Sequence, residues 1–539
     1  MFNSSYDPKR KIWSGLKQPG PFNPQANLGQ LILNLLDRSP TMVAQISVES
    51  GVELSCEEMR LRSIRAAQNL TRLGYTKGDT IGFAVRNREN VAPIVYGCFL
   101  IGAPVNCIDP DFTAVDMAYM FGISKPVLVI ADEDNVDTVK TSCQTAGISP
   151  KFVVMDQAPG DDDPSALNVV KETGNEQLYY PSYLGDSEKL IAAIVFSSGT
   201  TGMPKGICLS HANIIHQNAL ICLTHQFKTA FWFSSLYWVS GLLQLIQGPF
   251  NNSTRYISTR RFSPEAFFEI VEQYALTHVF SSPAQMATIL QSPLLKQADL
   301  SSLKFFYSGG GLMSPGLRKS IEKSLPSCRT GVAYGTSEIG HIATDVFGPT
   351  REGSVGVLDP NIEAKALDDD GNPVGVNERG VLWFRYPIKP MGYLNNQSAT
   401  DEILTADGWV CSGDVGYFDE DGYLFLIDRK KEIIKYKGYQ ISPAEIEATI
   451  EELPEVAHVC VVGRFDPELH VDLPTAVIEV RKDCQLGKAR VIDYVAGKLA
   501  DIKRLRGGVF FVEQMPMTAS GKLRRYEIRK YAEQEKGAN

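Results

Sequence analysis

At 539 residues the chain exceeds what one hydrophobic core can hold, which implies a large domain with at least one smaller partner. A hydrophobic share of 44% and a charged share of 21% are those of an ordinary globular protein and exclude the disordered class, and a formal charge of −9 argues against a general nucleic-acid binder while permitting a local basic site. Ten cysteines with no C-x-x-C pair and no Cys/His cluster at ligand spacing indicate neither a zinc centre nor a disulfide framework, and favour a reducing compartment.

From the N-terminus, Met1 to Trp13 is polar and basic and does not read as a secretory signal. Ser55 and Glu58 form a capping-box pattern before the apolar stripe Ile64, Ala67 and Leu70, and Gly74 stops it, so a helix is predicted between Ser55 and Gly74. A strand, Thr80 to Val85, follows. The longest apolar stretch, Ile94 to Ile108, is shorter than a membrane span and contains Pro104, so no transmembrane helix is expected. Short apolar runs at Val127 to Ala131, Phe152 to Met155 and Leu190 to Phe196 alternate with helical patterns. This is the signature of an α/β architecture whose parallel strands, in doubly wound sheets, are buried on both faces.

After about Gly356 the texture changes to short strands and turn signals such as Asp370-Gly371, Asp407-Gly408 and Asp421-Gly422, which predicts a β-rich subdomain. A basic run from Asp428 to Glu432 leads into a compact tail, with a helix capped by Ser442 and Glu445 around Pro443 and strand-like runs near Val456 to Val462 and Thr475 to Val480. The expected division is therefore residues 1–427 as the large domain and 428–539 as a small α+β domain. The final residues, Lys536 to Asn539, lack a Ser-Lys-Leu type address, which leaves the cytoplasm as the expected compartment and the peroxisome as an alternative without its usual signal.

The most informative string is Ser197-Ser198-Gly199-Thr200-Thr201-Gly202-Met203-Pro204-Lys205-Gly206, placed directly after an apolar strand. Small residues leave backbone amides open to phosphate oxygens, the hydroxyls can donate to them, and Lys205 supplies positive charge. The string reads as a polyphosphate cradle, against the plainer alternative of a Gly/Ser/Thr surface loop. It is not a Walker loop, because Pro204 precedes the lysine and Gly206 follows it, and in Gly309-Gly310-Gly311 the dinucleotide-binding spacing breaks at Ser314.

At this string the sequence resembles the adenylate-forming superfamily of acyl-CoA synthetases, 4-coumarate:CoA ligases and beetle luciferases. The resemblance recurs in order through Tyr334-Gly335-Thr336-Ser337-Glu338, Ser412-Gly413-Asp414, Asp428-Arg429, Lys435-Tyr436-Lys437-Gly438-Tyr439-Gln440 and Ser520-Gly521-Lys522, and similar texture runs from about Asn27 to Arg529. Lys503 to Val509 looks closest to the luciferase-like branch of acyl-CoA synthetases.

The resemblance implies a large AMP-binding domain, a mobile cap, and the substrates ATP and coenzyme A with Mg²⁺. Ser197, Ser198, Gly199, Thr200, Thr201, Gly202, Lys205, Gly309, Gly310, Tyr334, Gly335, Ser337, Asp414 and Arg429 would bind the nucleotide. Glu338 would hold the metal, as a hard oxygen ligand suits Mg²⁺, and Asp414 would accept from both ribose hydroxyls. Lys522 would stand between the attacking carboxylate and the α-phosphate. By the same resemblance, the cap turns at about Asp428 to Lys431 and brings Lys435, Lys437 and Gly438 to the adenylate and the thiol. Taken without it, a lone glutamate, a Ser-Gly-Asp turn or a lysine in a basic tail is ordinarily solvated.

One departure stands out. The family's Pro-x-x-His element aligns with Ser234 to Gly241, so Trp238 takes the histidine's place, as a wall of the acyl pocket or as a core tryptophan. Tyr307, Thr336 and Ile339 would complete the pocket. Ser337 and Ser412 replace threonines and keep the hydroxyl, so phosphate and ribose binding should survive. His341 reads either as a pocket residue or as a satisfied structural histidine, and His211 as a helix-start residue.

The expectation is ATP-dependent activation of a fatty or aryl-propenoic acid to acyl-AMP, followed by transfer to coenzyme A. The alternatives are luciferase-type oxidation of the adenylate and a nucleotide-binding pseudoenzyme. No nucleic-acid partner is expected, and the chain should be a monomer or weak dimer.

Overall fold

Two sheets with parallel centres carry the large part of the molecule. The computed structural model describes residues 4–155, 165–196, 204–224, 228–346, 350–436, 439–466, 471–517 and 522–534, without the side chains of 220–224, 435, 439 and 440. The smaller sheet runs in the order Gly206–Ser210, Ile191–Phe196, Val105–Cys107, Ile81–Ala84, Leu128–Ala131, Lys151–Val154. All its pairings are parallel except the first. Its central strand Ile81–Ala84 is buried at every position, as strands covered by helices on both faces must be.

The helix read from Ser55 onward spans Cys56–Arg72, and the Ser55 hydroxyl accepts the Glu58 amide at 3.1 Å. Among the described residues only this half of the capping box forms. The Glu58 carboxylate instead takes the Arg62 guanidinium at 2.7 Å one turn on, an (i, i+4) pair. Helix Val91–Ile101 lies against it through Gly97, where a Cβ would come within 2.6 Å of the Ala66 methyl.

The larger sheet has fifteen strands. Parallel strands Val43–Ser47, Thr254–Ile257, Thr229–Trp232, His278–Ser281, Phe305–Gly309 and Arg329–Thr336 form one part. At Arg329–Thr336 the chain reverses into Gly340–Thr344, and from there the pairing is antiparallel through Ser354–Leu358, Tyr423–Arg429, Trp409–Phe418, Gly380–Arg385 and Glu363–Leu367. The β-rich region therefore begins at the Gly340 hairpin and joins edge to edge onto the parallel part. It also recruits the N-terminus: Ile12–Ser14 pairs with Glu363–Leu367, and Trp13 stacks between Tyr6 and Phe418 at 4.4 and 5.1 Å.

A separate C-terminal unit is built on the sheet Val456–Asp466, Val471–Val480, Gly508–Val512 with helices Pro443–Ile450, Lys488–Lys498 and Arg525–Gln534. Ile446, Val461, Ile478 and Val495 fill one side of it, and Cys460, Val477, Phe510 and Ile528 the other. Here one sequence expectation is corrected. Ser442 does not cap helix Pro443–Ile450; its hydroxyl donates to Asp428 Oδ2 at 2.9 Å, and that carboxylate accepts the Ala444 amide at 3.1 Å. Asp428 supplies the cap because an acceptor is needed at the amides and a carboxylate accepts more strongly than a hydroxyl. Glu445 is likewise drawn away, to an ion pair with Lys503.

Candidate active site

Strand Ile191–Phe196 delivers the chain to the hydroxyl-rich string, and Phe196 pairs with Gly206 on the return strand. Ser197, Ser198, Gly199, Thr200, Thr201 and Gly202 lie outside the described residues, as do Lys437, Gly438, Ser520 and Gly521, and the Lys435 side chain. Lys205 is described: its ammonium stands 5.0 Å from the Tyr393 ring centroid, in cation–π range. The Tyr393 hydroxyl donates to Glu338 Oε1 at 2.9 Å. Burial and the neighbouring Glu338 charge push the Tyr393 phenol well above its ordinary pKa, so it remains a donor.

Glu338 projects from the turn between strands Arg329–Thr336 and Gly340–Thr344. Two glycines permit that turn. A Cβ on Gly335 would meet the Gly340 carbonyl oxygen at 2.2 Å, and Gly340 itself has φ +95° with the Gln217 amide filling the space a side chain would take. Gln217 Nε2 donates to the Ile339 carbonyl at 3.1 Å, and Thr336 Oγ1 accepts the Ile339 amide at 3.3 Å. Ser337 is half-buried beside Glu338.

Asp414 and Arg429 face each other on adjacent strands, with Arg429 Nε 3.3 Å from Asp414 Oδ1. The Tyr334 hydroxyl donates to Asp414 Oδ2 at 2.6 Å. Burial raises the Asp414 pKa, and Arg429 and Tyr334 work against that rise. The Ser412 hydroxyl bonds the neighbouring backbone. It donates to the Leu382 carbonyl at 3.0 Å and accepts the Asp414 amide at 3.1 Å, so it shapes the turn at Gly413, where φ is +75°.

Lys522 comes from the C-terminal unit and lies at the same place. Its Nζ is 5.4 Å from the Trp238 ring centroid, and a Cβ built on Gly310 would touch its Cε at 3.5 Å and Nζ at 3.7 Å. Burial, then the Arg429 charge, pushes its pKa down to about 8. The site thus gathers Lys205, Glu338, Tyr334, Asp414, Arg429, Trp238, Gly310 and Lys522 from two units of the chain. Three cations, Lys205, Arg429 and Lys522, together with a carboxylate held by a tyrosine suit an anionic ligand that carries hydroxyls.

The sequence comparisons agree with this geometry. The profile of the AMP-binding enzyme family matches residues 36–394, more than half of the chain, and that of the AMP-binding enzyme C-terminal domain matches 445–522. The chain belongs to the AMP-binding enzyme family. A probable 4-coumarate–CoA ligase 1 of Dictyostelium discoideum is 29% identical over 96% of this chain and 97% of its own length. A luciferin 4-monooxygenase of Nipponoluciola cruciata is 30% identical over 94% and 95%. Among solved structures, an anthranilate CoA ligase holding anthranoyl-AMP superposes with TM-score 0.85 at 20% identity, covering 95% of this chain and 98% of the other. ATP-bound MatB of Rhodopseudomonas palustris does so with TM-score 0.84 at 21%, over 94% and 99%. This AMP-binding enzyme shares with those structures the mixed α/β fold and the separate C-terminal domain.

In this AMP-binding enzyme a magnesium ion is implied by ATP chemistry, and Glu338 fits it. A carboxylate has about four lone-pair sites, so accepting one tyrosine hydroxyl leaves capacity for a cation. Tyr307, in strand Phe305–Gly309, packs against Ala230 and Val346 and stacks with Phe305 and His278. Ile339 is 1% exposed and joins the core with Tyr334 and Ile342. His341 is ion-paired with Asp359, whose charge outweighs burial and raises the histidine's pKa, which is the structural reading. His211 opens helix His211–Thr224 as read, and its Nδ1 accepts the Leu28 amide at 3.2 Å.

Tyr393, Gln217 and Asp428's capping role were missed. No local pattern marks Tyr393; Gly392 before it, at φ +84° against the Thr400 side chain, is the one sequence hint of a forced backbone.

Proposed function

We propose that this enzyme activates a fatty or aryl-propenoic carboxylic acid with ATP and passes the acyl group to coenzyme A. In the first step a carboxylate oxygen attacks the α-phosphorus, the bond to the β-phosphate oxygen breaks, and acyl-AMP and pyrophosphate form. In the second the coenzyme A thiol gives up its proton, its sulfur attacks the acyl carbon, and AMP leaves. The observation that carries the reading is Lys522 at the Gly310 backbone within reach of Arg429's field, since a lysine there can neutralise charge between two anionic reactants. Asp414 would orient the ribose, with Tyr334 fixing its rotamer, while Lys205 and Arg429 would bind phosphate oxygens. Magnesium, when bound at Glu338, would screen the triphosphate. Trp238, broader than imidazole, would shorten or flatten the accepted acid.

The proposed boundary falls between residues 427 and 428, with rotation at Asp428 to Lys431 exchanging Lys522 for the Lys435 to Gln440 segment. A monomer or weak dimer in the cytoplasm, using Mg²⁺ and coenzyme A, belongs to the same reading. No described helix is long and apolar enough to cross a membrane.

The test is pyrophosphate release over short, medium, long-chain and aromatic acids, followed by the two half-reactions of Lys522→Ala. Adenylation should fall by roughly 10²-fold or more, in line with loss of a transition-state donor, while thioester formation from supplied acyl-adenylate persists. Equal loss of both would end this division of labour. The luciferin 4-monooxygenase likeness favours one second reading, oxidation of the adenylate, and light from luciferin, ATP and oxygen would establish it.

A further inference from the structure

The histidine-to-tryptophan departure acquires a second meaning from where the indole lies. Trp238 is presented by a turn with little freedom. Its amide donates to the Ser235 carbonyl at 3.2 Å, and its own carbonyl accepts Leu242 at 3.1 Å as helix Val239–Asn251 begins. The Asn87 side chain donates to the Ser234 carbonyl at 3.1 Å, Ser235 donates to Asp109 at 2.8 Å, and Ser240 donates to Ser234 at 2.9 Å. Gly241 is obligatory, because a Cβ there would fall 2.0 Å from the Ser235 carbonyl oxygen. The Tyr237 ring meets the indole edge-on at 4.9 Å and is itself met edge-on by Phe112 at 4.8 Å.

Lys522 is presented with similar care. Met517 and Leu523 form a bridge, the Arg524 amide donates to the Pro516 carbonyl at 2.9 Å, and Arg524 Nε donates to the Met517 carbonyl at 3.1 Å. Two hydrogen-bonded bases therefore bring an ammonium and an indole face to 5.4 Å, within the roughly 6 Å reach of a cation–π contact.

The chemistry of that contact suits a charge that must stay available. A carboxylate in Trp238's place would hold the ammonium in an ion pair and repel the incoming acid. A protonated imidazole would repel the ammonium, and a neutral one offers a weaker π face. The indole attracts the cation, carries no charge, and consumes none of its three N–H donors. We propose that Trp238 is a positioning residue for Lys522, its indole face seating the ammonium over the nucleotide site in the adenylating arrangement of the C-terminal domain. This rests on the acyl-adenylate reading and adds to Trp238's role toward the acid a role toward the lysine.

The test compares wild type, Trp238→Phe and Trp238→Leu, which grade the π face while keeping an apolar side chain. In nucleotide-free enzyme the acetylation rate of Lys522 by an N-hydroxysuccinimide ester is read by mass spectrometry against exposed Lys431 in the same digest. Labelling should be slowest in wild type, intermediate in Phe and faster by roughly two- to fivefold in Leu, the range expected for such a contact. Adenylation kcat should follow the reverse order and change by a larger factor than thioester formation from supplied adenylate, which reports only Trp238's contact with the acyl group. Equal labelling in all three proteins, or adenylation lost equally in Phe and Leu, would overturn the seat. If wild type performs no acid-dependent pyrophosphate exchange, the acyl-adenylate reading fails, and the labelling order still decides whether the indole holds the lysine.

Discussion

Tyr334 and Asp414 show how one hydrogen bond orients the carboxylate proposed to hold the ribose. The tyrosine hydroxyl, 2.6 Å from Oδ2, selects the carboxylate rotamer that Arg429 approaches from the other oxygen. Tyr334→Phe should leave the fold intact and raise the KM for ATP roughly tenfold with a smaller change in kcat, because a bond to a charged group is worth about 1.5–3 kcal/mol and the loss falls on ground-state binding. Lys522 sets a pH limit. Its pKa is lowered to about 8, so the free enzyme loses the ammonium as pH rises through that value. The kcat/KM for adenylation should accordingly decline on an alkaline limb near pH 8, since that ratio reports free-enzyme groups. A profile flat to pH 10 would show that the charge is not used.

At the level of elements, the segment carrying Lys522 is tied to the start of the C-terminal domain by one arginine. Arg525 opens helix Arg525–Gln534 and reaches Glu432 at 2.9 Å and Glu447 at 2.7 Å, with all three side chains mostly buried. It also donates to the Val461 carbonyl at 3.0 Å. Glu432 directly follows the proposed hinge, so this triad links that hinge, the sheet and the helix next to Lys522. Removing the arginine leaves two carboxylates facing each other out of water. Arg525→Ala should destabilise the domain by about 3 kcal/mol in chemical denaturation, and Arg525→Lys should recover only part, lacking the planar fork that spans both partners.

For the whole molecule, buried neutral histidines impose an acid sensitivity. Burial lowers the pKa of His211 to about 3 and those of His216 and His278 to about 4. Each folded histidine stays neutral where its unfolded counterpart, with a pKa near 6.5, takes up a proton, so stability falls as pH drops from about 6.5 toward 4. His341, raised by Asp359, acts in the opposite sense. His216 contributes about 1–2 kcal/mol of this loss at pH 5, and His216→Asn should flatten the stability-versus-pH curve between pH 7 and 5 relative to wild type. An unchanged slope would show that the ring is protonated or exposed in the native state.

Much of this was legible in the residues alone. Runs such as Ile191–Phe196 and Leu128–Ala131 announce buried parallel strands because both faces need apolar side chains, and Cys56–Arg72 carries its own cap and stripe. The ordered motifs ending at Lys522 pointed to nucleotide chemistry through their resemblance to the adenylate-forming superfamily, since each residue taken alone reads as an ordinary solvated or turn residue. Tertiary structure alone decided how partners far apart in the chain meet. Asp428 rather than Ser442 caps a helix, Tyr393 joins Lys205 to Glu338, residues 12–14 pair with a strand more than 340 positions later, and an indole faces the ammonium of a lysine 284 positions away. Local sequence encodes backbone preference and burial within a few residues, whereas these contacts depend on which surfaces the packed core brings within a few ångströms of each other.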